Sequence, residues 1–366
     1  MQPSPYQSQD PGPSPRPASA PARPTSTMDD VARRAGVSRS TVSRVFQPGS
    51  SVSDDAKIRV HEAARELGYV PNLVAGGLAG GLTQRTVLGL VVRDATNPAY
   101  GLLIGSLQAA AQERGRHLIS VSAFPHEYGP EEVVGLRRLV GMRVAGAFVA
   151  TGVTPPEDIV AANASVPVLV VGRPNDDPRL ESISYDEAAH GRMMADRILA
   201  LGHRRVGLLV APVLYSRVFE LRMRSVRERL HERGAVVREI DLLPVRTGVA
   251  AALDVAASED LSCIVAPVDY AALELWRAAR TRGVRIGEDV HLVGFDGISD
   301  GLDLLGLTTI RLPIEAVAHE AVERMVELTD ASERGAQDGA DGPGGAARHV
   351  LRVGRLMEGS SLGPVG

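Results

Sequence analysis

Cysteine is almost missing from this 366-residue sequence: Cys263 is the only one. A lone thiol forbids an intrachain disulfide and cannot build a cysteine metal site, a usage that fits a reducing compartment. Long apolar runs are missing as well. No segment approaches the roughly 18 uninterrupted apolar residues of a membrane-spanning helix, and the N-terminus lacks the basic patch and apolar run of a secretory leader. A cytoplasmic protein without membrane contact is expected. Charge of one sign is scarce, the formal net charge being −4, so binding to nucleic acid would need a local basic element. Catalytic signatures are also lacking: there is no Gly-x-Ser-x-Gly elbow, no Gly-x-x-x-x-Gly-Lys phosphate loop and no His/carboxylate spacing of a metal hydrolase. Neither an enzyme, a metal site nor a cofactor is expected, and Cys263 reads as strand packing.

What is present is 44% hydrophobic residues, enough for substantial cores, on a chain longer than one usual domain. One small domain plus one large or bilobed domain is the natural division. Residues 1–26 carry Pro, Ser, Gln and Ala and hardly any large apolar side chains, which predicts a disordered tail, with Met28 an alternative start.

Three short helices are expected over 27–71. Thr27 precedes Met28, Val31, Ala32 and Ala35 at helical spacing, with Asp29 and Asp30 in the first turn where the helix dipole favours them. Gly36 ends that helix. Ser38 caps a second one with Thr41, Val42 and Val45 inward and Arg39, Ser40, Ser43 and Arg44 outward. Ser53 caps a third through Ile58, Ala64 and Leu67, stopped by Gly68. Small Ala32, the turn at Gly36 and the valines that lock the two helices have the internal logic of a helix-turn-helix. Its outer face offers short hydroxyls to phosphates and base edges, and Arg39 or Arg44 offers paired donors to guanine. A helical hairpin with a solvated arginine face would show the same pattern.

Residues 72–84 read as a hinge. Beyond it, apolar runs such as Val87–Val92, Ala145–Val149, Val166–Val171, Val206–Val210 and Leu292–Phe295 alternate with amphipathic helices, as in parallel sheets covered on both faces. Residues 332–346 read as a flexible loop before a last strand around Val350–Val353.

The stretches Met28-Asp29-Asp30-Val31-Ala32, Gly36-Val37-Ser38, Thr41-Val42-Ser43-Arg44-Val45, Leu67-Gly68-Tyr69-Val70-Pro71-Asn72 and Leu78-Ala79 resemble the lactose/galactose-repressor (LacI/GalR) family. Asn97-Pro98-Ala99-Tyr100, Gly202-His203-Arg204-Arg205-Val206 and Val293-Gly294-Phe295-Asp296 extend the resemblance. It implies an α/β fold: a three-helix DNA-binding domain and hinge helix, then a two-lobed periplasmic-binding-protein-like core of parallel sheets flanked by helices, 85–360. The first lobe would take about 85–185 plus 314–330, the second about 186–313 plus 347–358.

The same resemblance implies DNA contacts at Ser38, Arg39, Ser40, Thr41 and Arg44, and in the hinge at Asn72, Ala75 and Leu78, with Leu78 as a minor-groove wedge. Gly76 and Gly77 depart from the family's usual residues there. Between the lobes it implies effector contacts at Asn97, Tyr100, Arg173, Arg222, Asp269 and Asp296, a set of carboxylates, guanidinium forks and a ring that suits a polyol. Val268 replaces a common Asn, and Ser225 and Glu358 are off-pattern, so the family's ligand identities do not transfer. The expectation is a homodimeric repressor of a pseudo-palindromic operator with a sugar or sugar-derivative effector. A non-sugar corepressor such as a nucleobase, or a solute-binding protein without DNA function, stays open.

Overall fold

The computed structural model describes residues 26–46, 52–69, 86–95, 97–122, 131–152, 154–212, 215–338 and 347–365. The expected tail and hinge contacts, Asn72, Ala75 and Leu78 among them, lie outside the described residues. The chain divides into two compact units, 1–80 and 81–366.

The first unit holds α1 (Met28–Ala35), α2 (Arg39–Val45) and α3 (Asp54–Glu66). α2 and α3 begin at the expected caps, and α1 is capped by the Thr27 that precedes it. Thr27 and Asp30 form a reciprocal capping box, while Ser38 and Ser53 accept from the Thr41 and Ala56 amides, satisfying donors that a helix start leaves open. Gly36 turns the chain at φ 65°, a left-handed conformation that a Cβ disfavours. Val31, Val42 and Val60, one from each helix, are fully buried, and each such side chain stabilises the unit by about 1.5–3 kcal/mol. Ile58, on this third helix as expected, is 58% exposed. The buried face of α3 is Ala56, Val60, Ala63 and Ala64, and Ile58 lies two residues, about 200°, away from Ala56 around the helix.

The second unit contains two α/β lobes. In the first, β1 (Val87–Val92), α4 (Pro98–Glu113), β2 (His117–Ser122), α5 (Glu131–Gly141), β3 (Gly146–Ala150), α6 (Pro156–Asn163), β4 (Val168–Val171) and β5 (Glu181–Tyr185) follow one another. The second runs α7 (Glu187–Ala200), β6 (Arg205–Val210), α8 (Arg217–Glu232), β7 (Val236–Asp241), α9 (Val245–Ser258), β8 (Cys263–Val265), α10 (Asp269–Thr281), β9 (His291–Asp296), α11 (Leu302–Leu305) and β10 (Thr308–Arg311). The chain then returns to the first lobe for α12 (Ile314–Asp338) and β11 (His349–Arg352), and ends in the second with β12 (Arg355–Met357).

The sheet orders are β11-β5-β4-β3-β1-β2 and β12-β10-β9-β8-β6-β7, all parallel except β12 against β10. Strands such as β3 and β4 are buried along their whole length because helices cover both faces. Two expectations are corrected here. Residues 332–338 continue α12 rather than forming a loop. The segment 347–358 is divided, His349–Arg352 pairing with β5 and Arg355–Met357 with β10; two short edge strands serve two different sheets. The lobes are thus linked three times: after Tyr185, after Arg311, and at Val353-Gly354. The last link is tight, since a Cβ on Gly354 would collide with the Arg311 carbonyl oxygen.

Candidate functional site: a charged cleft and an exposed helix face

Parallel sheets put the C-terminal ends of their strands, and the loops that follow, at one edge, where ligands of open α/β sheets bind. A cleft, partly continuous with solvent, opens between the lobes. Asn97, Tyr100, Gly172, Arg173 and Tyr185 line it from the first lobe; Glu187, Ser216, Phe219, Arg222 and Asp296 line it from the second. Five of the six expected effector residues therefore meet in one cavity.

The second-lobe wall is an ion cluster around Arg222, which is 1% exposed. Its Nε and Nη2 donate to the two carboxylate oxygens of Glu187 at 2.7 and 3.0 Å. Nη1 donates to the Pro267 carbonyl oxygen at 2.5 Å and to Asp296 Oδ1 at 3.2 Å, and the guanidinium lies 4.8 Å from the centre of the Phe295 ring. A charge buried this deeply is tolerable only when paired and hydrogen-bonded. Burial would raise the Glu187 carboxyl, but the Arg222 charge overrides it and holds Glu187 below its ordinary range. Asp296 goes the other way, raised chiefly by burial and further by Glu187, against the pull of Arg222. Its backbone has φ 109°, a strained conformation for a side-chain-bearing residue, of the kind that clusters at ligand sites.

The first-lobe wall is built differently. Arg173, 7% exposed, donates through Nη1 to the carbonyl oxygens of Thr151 and Thr154 at 2.8 and 3.2 Å. Tyr100 stands beside it, its hydroxyl pushed up to about 12, mostly by burial. Asn97 uses its side-chain oxygen to cap α4 through the Ala99 amide. The lips are joined by Arg93, which donates to the Tyr215 carbonyl oxygen and lies over its ring, and by the Arg217–Asp176 ion pair.

Asp269 is the exception. It does not line the cleft: its carboxylate accepts from the Gly297 amide at 2.6 Å and the Thr309 hydroxyl at 2.7 Å, tying β10 to the loop after β9. Burial, reinforced by the Asp296 charge, raises its pKa. Val268 is the N-cap of α10, Ser225 donates to the Ala188 carbonyl oxygen, and Glu358 pairs with Arg197; none lines the cleft. Sequence reading missed Glu187 and Tyr185. The available signal was the pair Glu187 and His190, polar residues three apart on the otherwise apolar inward face of α7.

On the small unit, Ser38, Arg39, Ser40 and Arg44 are exposed and Thr41 half-buried. Ser38 is engaged as the cap, within 2.8 Å of the Ser40 and Thr41 hydroxyls, and Arg39 lies 3.7 Å from Asp29. Arg44 has no ion-pair partner among the described residues. Cys263 is buried in β8, its thiol pushed up by burial. Among the described residues no helix is long and apolar enough to cross a membrane, and no acidic, histidine or cysteine cluster could hold a metal ion.

Comparison with known proteins agrees with this architecture. Residues 27–72 match the lacI family of bacterial regulatory proteins, and residues 195–362 match a periplasmic binding protein-like domain. The HTH-type transcriptional regulator DegA of Bacillus subtilis (strain 168) is 27% identical over 304 residues, covering 80% of this chain and 88% of that protein. The lactose operon repressor of Escherichia coli (strain K12) is 28% identical over 314 residues, covering 83% and 84%. The lac repressor dimer, solved with operator and the anti-inducer ONPF, superposes with a TM-score of 0.72 at 25% identity, covering 92% of this chain and 99% of that one. A helix-turn-helix unit followed by a two-lobed binding core defines a DNA-binding transcriptional regulator. The chain belongs to the LacI/GalR family.

Proposed function

We propose that the chain is a homodimeric cytoplasmic repressor that reads a pseudo-palindromic operator through α2 and catalyses no reaction. A small carbohydrate-type effector, held between the lobes of 85–360, changes its operator affinity. The observation that carries this reading is one cleft with Arg173 and Tyr100 on one wall and Asp296, fixed by Arg222 and Glu187, on the other. A polyol bridging the two walls binds the closed arrangement better than an open one, and that difference in affinity is what can bias DNA binding. Structures of relatives support it: the lac repressor was solved with operator, and the regulator CelR, 24% identical with a TM-score of 0.62 over 92% of this chain and 99% of its own, with cellobiose.

In this reading Ser38, Arg39, Ser40, Thr41 and Arg44 meet the major groove, the hinge residues Asn72, Ala75 and Leu78 meet the minor groove, and Asn97 joins the effector contacts. Asp269 supports the wall from behind. The test is selection of duplexes from a randomised library by the full chain, followed by titration with simple sugars. A symmetric sequence whose binding responds to a sugar, with the response lost in Asp296→Asn, is expected. Failure to enrich any symmetric sequence, or a sugar response indifferent to Asp296→Asn, contradicts it.

A further inference from the structure

Two buried arginines face the cleft, and their side-on forks, each made of Nε and Nη2, differ in one respect. The fork of Arg222 is filled by a carboxylate, Glu187, through two parallel hydrogen bonds. The fork of Arg173 holds nothing among the described residues: only its Nη1 is engaged, by two backbone carbonyl oxygens, and no carboxylate lies within ion-pairing distance. Its nearest compensating charge, Glu132, is reached only through Thr154, whose hydroxyl donates to Glu132 Oε2 at 2.8 Å.

Arg173, a residue 7% exposed, lines the cavity with a planar pair of donors that no described residue fills, and such a pair is matched by an oxyanion that accepts both at once. Burial accordingly lowers the Arg173 pKa, and an anion in the fork would reverse that effect. The surrounding charges fit a polarised ligand. The second-lobe wall, with Glu187 and Asp296 around Arg222, carries a net negative charge suited to hydroxyl donors.

We propose that the effector is an acidic carbohydrate, its anionic group seated in the Arg173 fork and its hydroxyls turned to Asp296. The proposal rests on the carbohydrate-effector reading above. Carboxylate and phosphate share the required chemistry; a sugar acid and a sugar phosphate are its two sources.

The test follows the Arg173 Nε–H resonance in the full-length protein labelled at arginine, assigned by its loss in Arg173→Lys. Sodium acetate and inorganic phosphate are titrated at ionic strength matched with sodium chloride. In parallel, affinities are measured for two matched pairs, D-galacturonate with D-galactose and D-glucose 6-phosphate with D-glucose. A saturable shift with acetate or phosphate and none with chloride is expected. The acid should bind at least about tenfold more tightly than its neutral partner, as expected for hydrogen bonds to a charged group, and the preference should vanish in Arg173→Gln. The stronger of the two anions tells carboxylate from phosphate.

Absence of a saturable shift overturns the proposal, as does a neutral sugar that binds as well as its acid. A neutral sugar whose binding is lost in Asp296→Asn but kept in Arg173→Gln removes the acidic effector and leaves the carbohydrate-effector reading standing.

Discussion

Replacing Glu187 by Gln removes one charge from a nearly dry cluster and little volume. In the native protein Arg222 spends Nε and Nη2 on Glu187 and Nη1 on Pro267 and Asp296. The Gln amide can accept from one of the two Glu187-directed donors, but its NH2 then faces the other, and the guanidinium keeps only Asp296 as a counter-charge. Breaking one member out of a buried pair costs about 3–5 kcal/mol. The retained acceptor places Glu187→Gln near the lower end, about 3 kcal/mol, or roughly 6–12 °C in the Tm of a domain this size. Urea and thermal unfolding of the purified variant measure it. The double variant Glu187→Gln with Arg222→Met should be less destabilised than the sum of the singles, because it no longer buries an uncompensated cation. The loss should also fade in acid. Glu187 has a depressed folded-state pKa, so its contribution is present above the unfolded carboxylate range near pH 4 and disappears as pH falls through the folded value. A Glu187→Gln variant within about 0.5 kcal/mol of the native protein, as for an ordinary surface change, would show that Arg222 does not depend on the Glu187 charge.

Asp269 and Asp296 titrate with the opposite sign: their folded-state pKa values are raised, so stability is fullest below the unfolded carboxylate range and declines as pH rises through the folded values. Asp269→Asn, whose oxygen can accept from Gly297 and whose amide can donate to Thr309, should fold and flatten that decline in a pH series of unfolding curves; an unchanged slope would count against a raised Asp269 pKa. Gly354→Ala should cost about 1–3 kcal/mol by overpacking, since the new methyl meets the Arg311 carbonyl oxygen and comes within 3.2 Å of His190 Nε2, and a stability equal to the native protein would show that the third crossover has slack. Light scattering at micromolar concentration should report a dimer, as the homodimeric reading proposed above requires; a monomer at that concentration would contradict it.

Local chemistry was legible in the sequence and long-range pairing was not. The caps at Ser38 and Ser53 depend on residues three apart, and both form as expected. The strands announce themselves as apolar runs because both sheets are covered on both faces. The facing of α3 was not legible, because apolarity alone does not say which way a helix faces; the small residues Ala56, Ala63 and Ala64, with Val60, set its buried stripe and leave Ile58 exposed. Asp269 sits after a strand, as a ligand contact would, but its partner Thr309 is 40 residues on and turns it inward. Glu187 was missed for a similar reason, its role being fixed by Arg222, 35 residues away. The division of 347–358 between two sheets rests on pairings with β5 and β10 that no local pattern announces.

Whether α2 reads DNA under control of the cleft is decided by titrating a selected symmetric duplex with the native protein, Arg44→Ala and Asp296→Asn at one fixed salt concentration, with and without a sugar or sugar acid that binds the cleft. Arg44→Ala should weaken binding by about 1–3 kcal/mol, and the ligand should shift operator affinity for the native protein but not for Asp296→Asn. Operator affinity unchanged by Arg44→Ala, together with an undiminished ligand response in Asp296→Asn, would contradict both expectations.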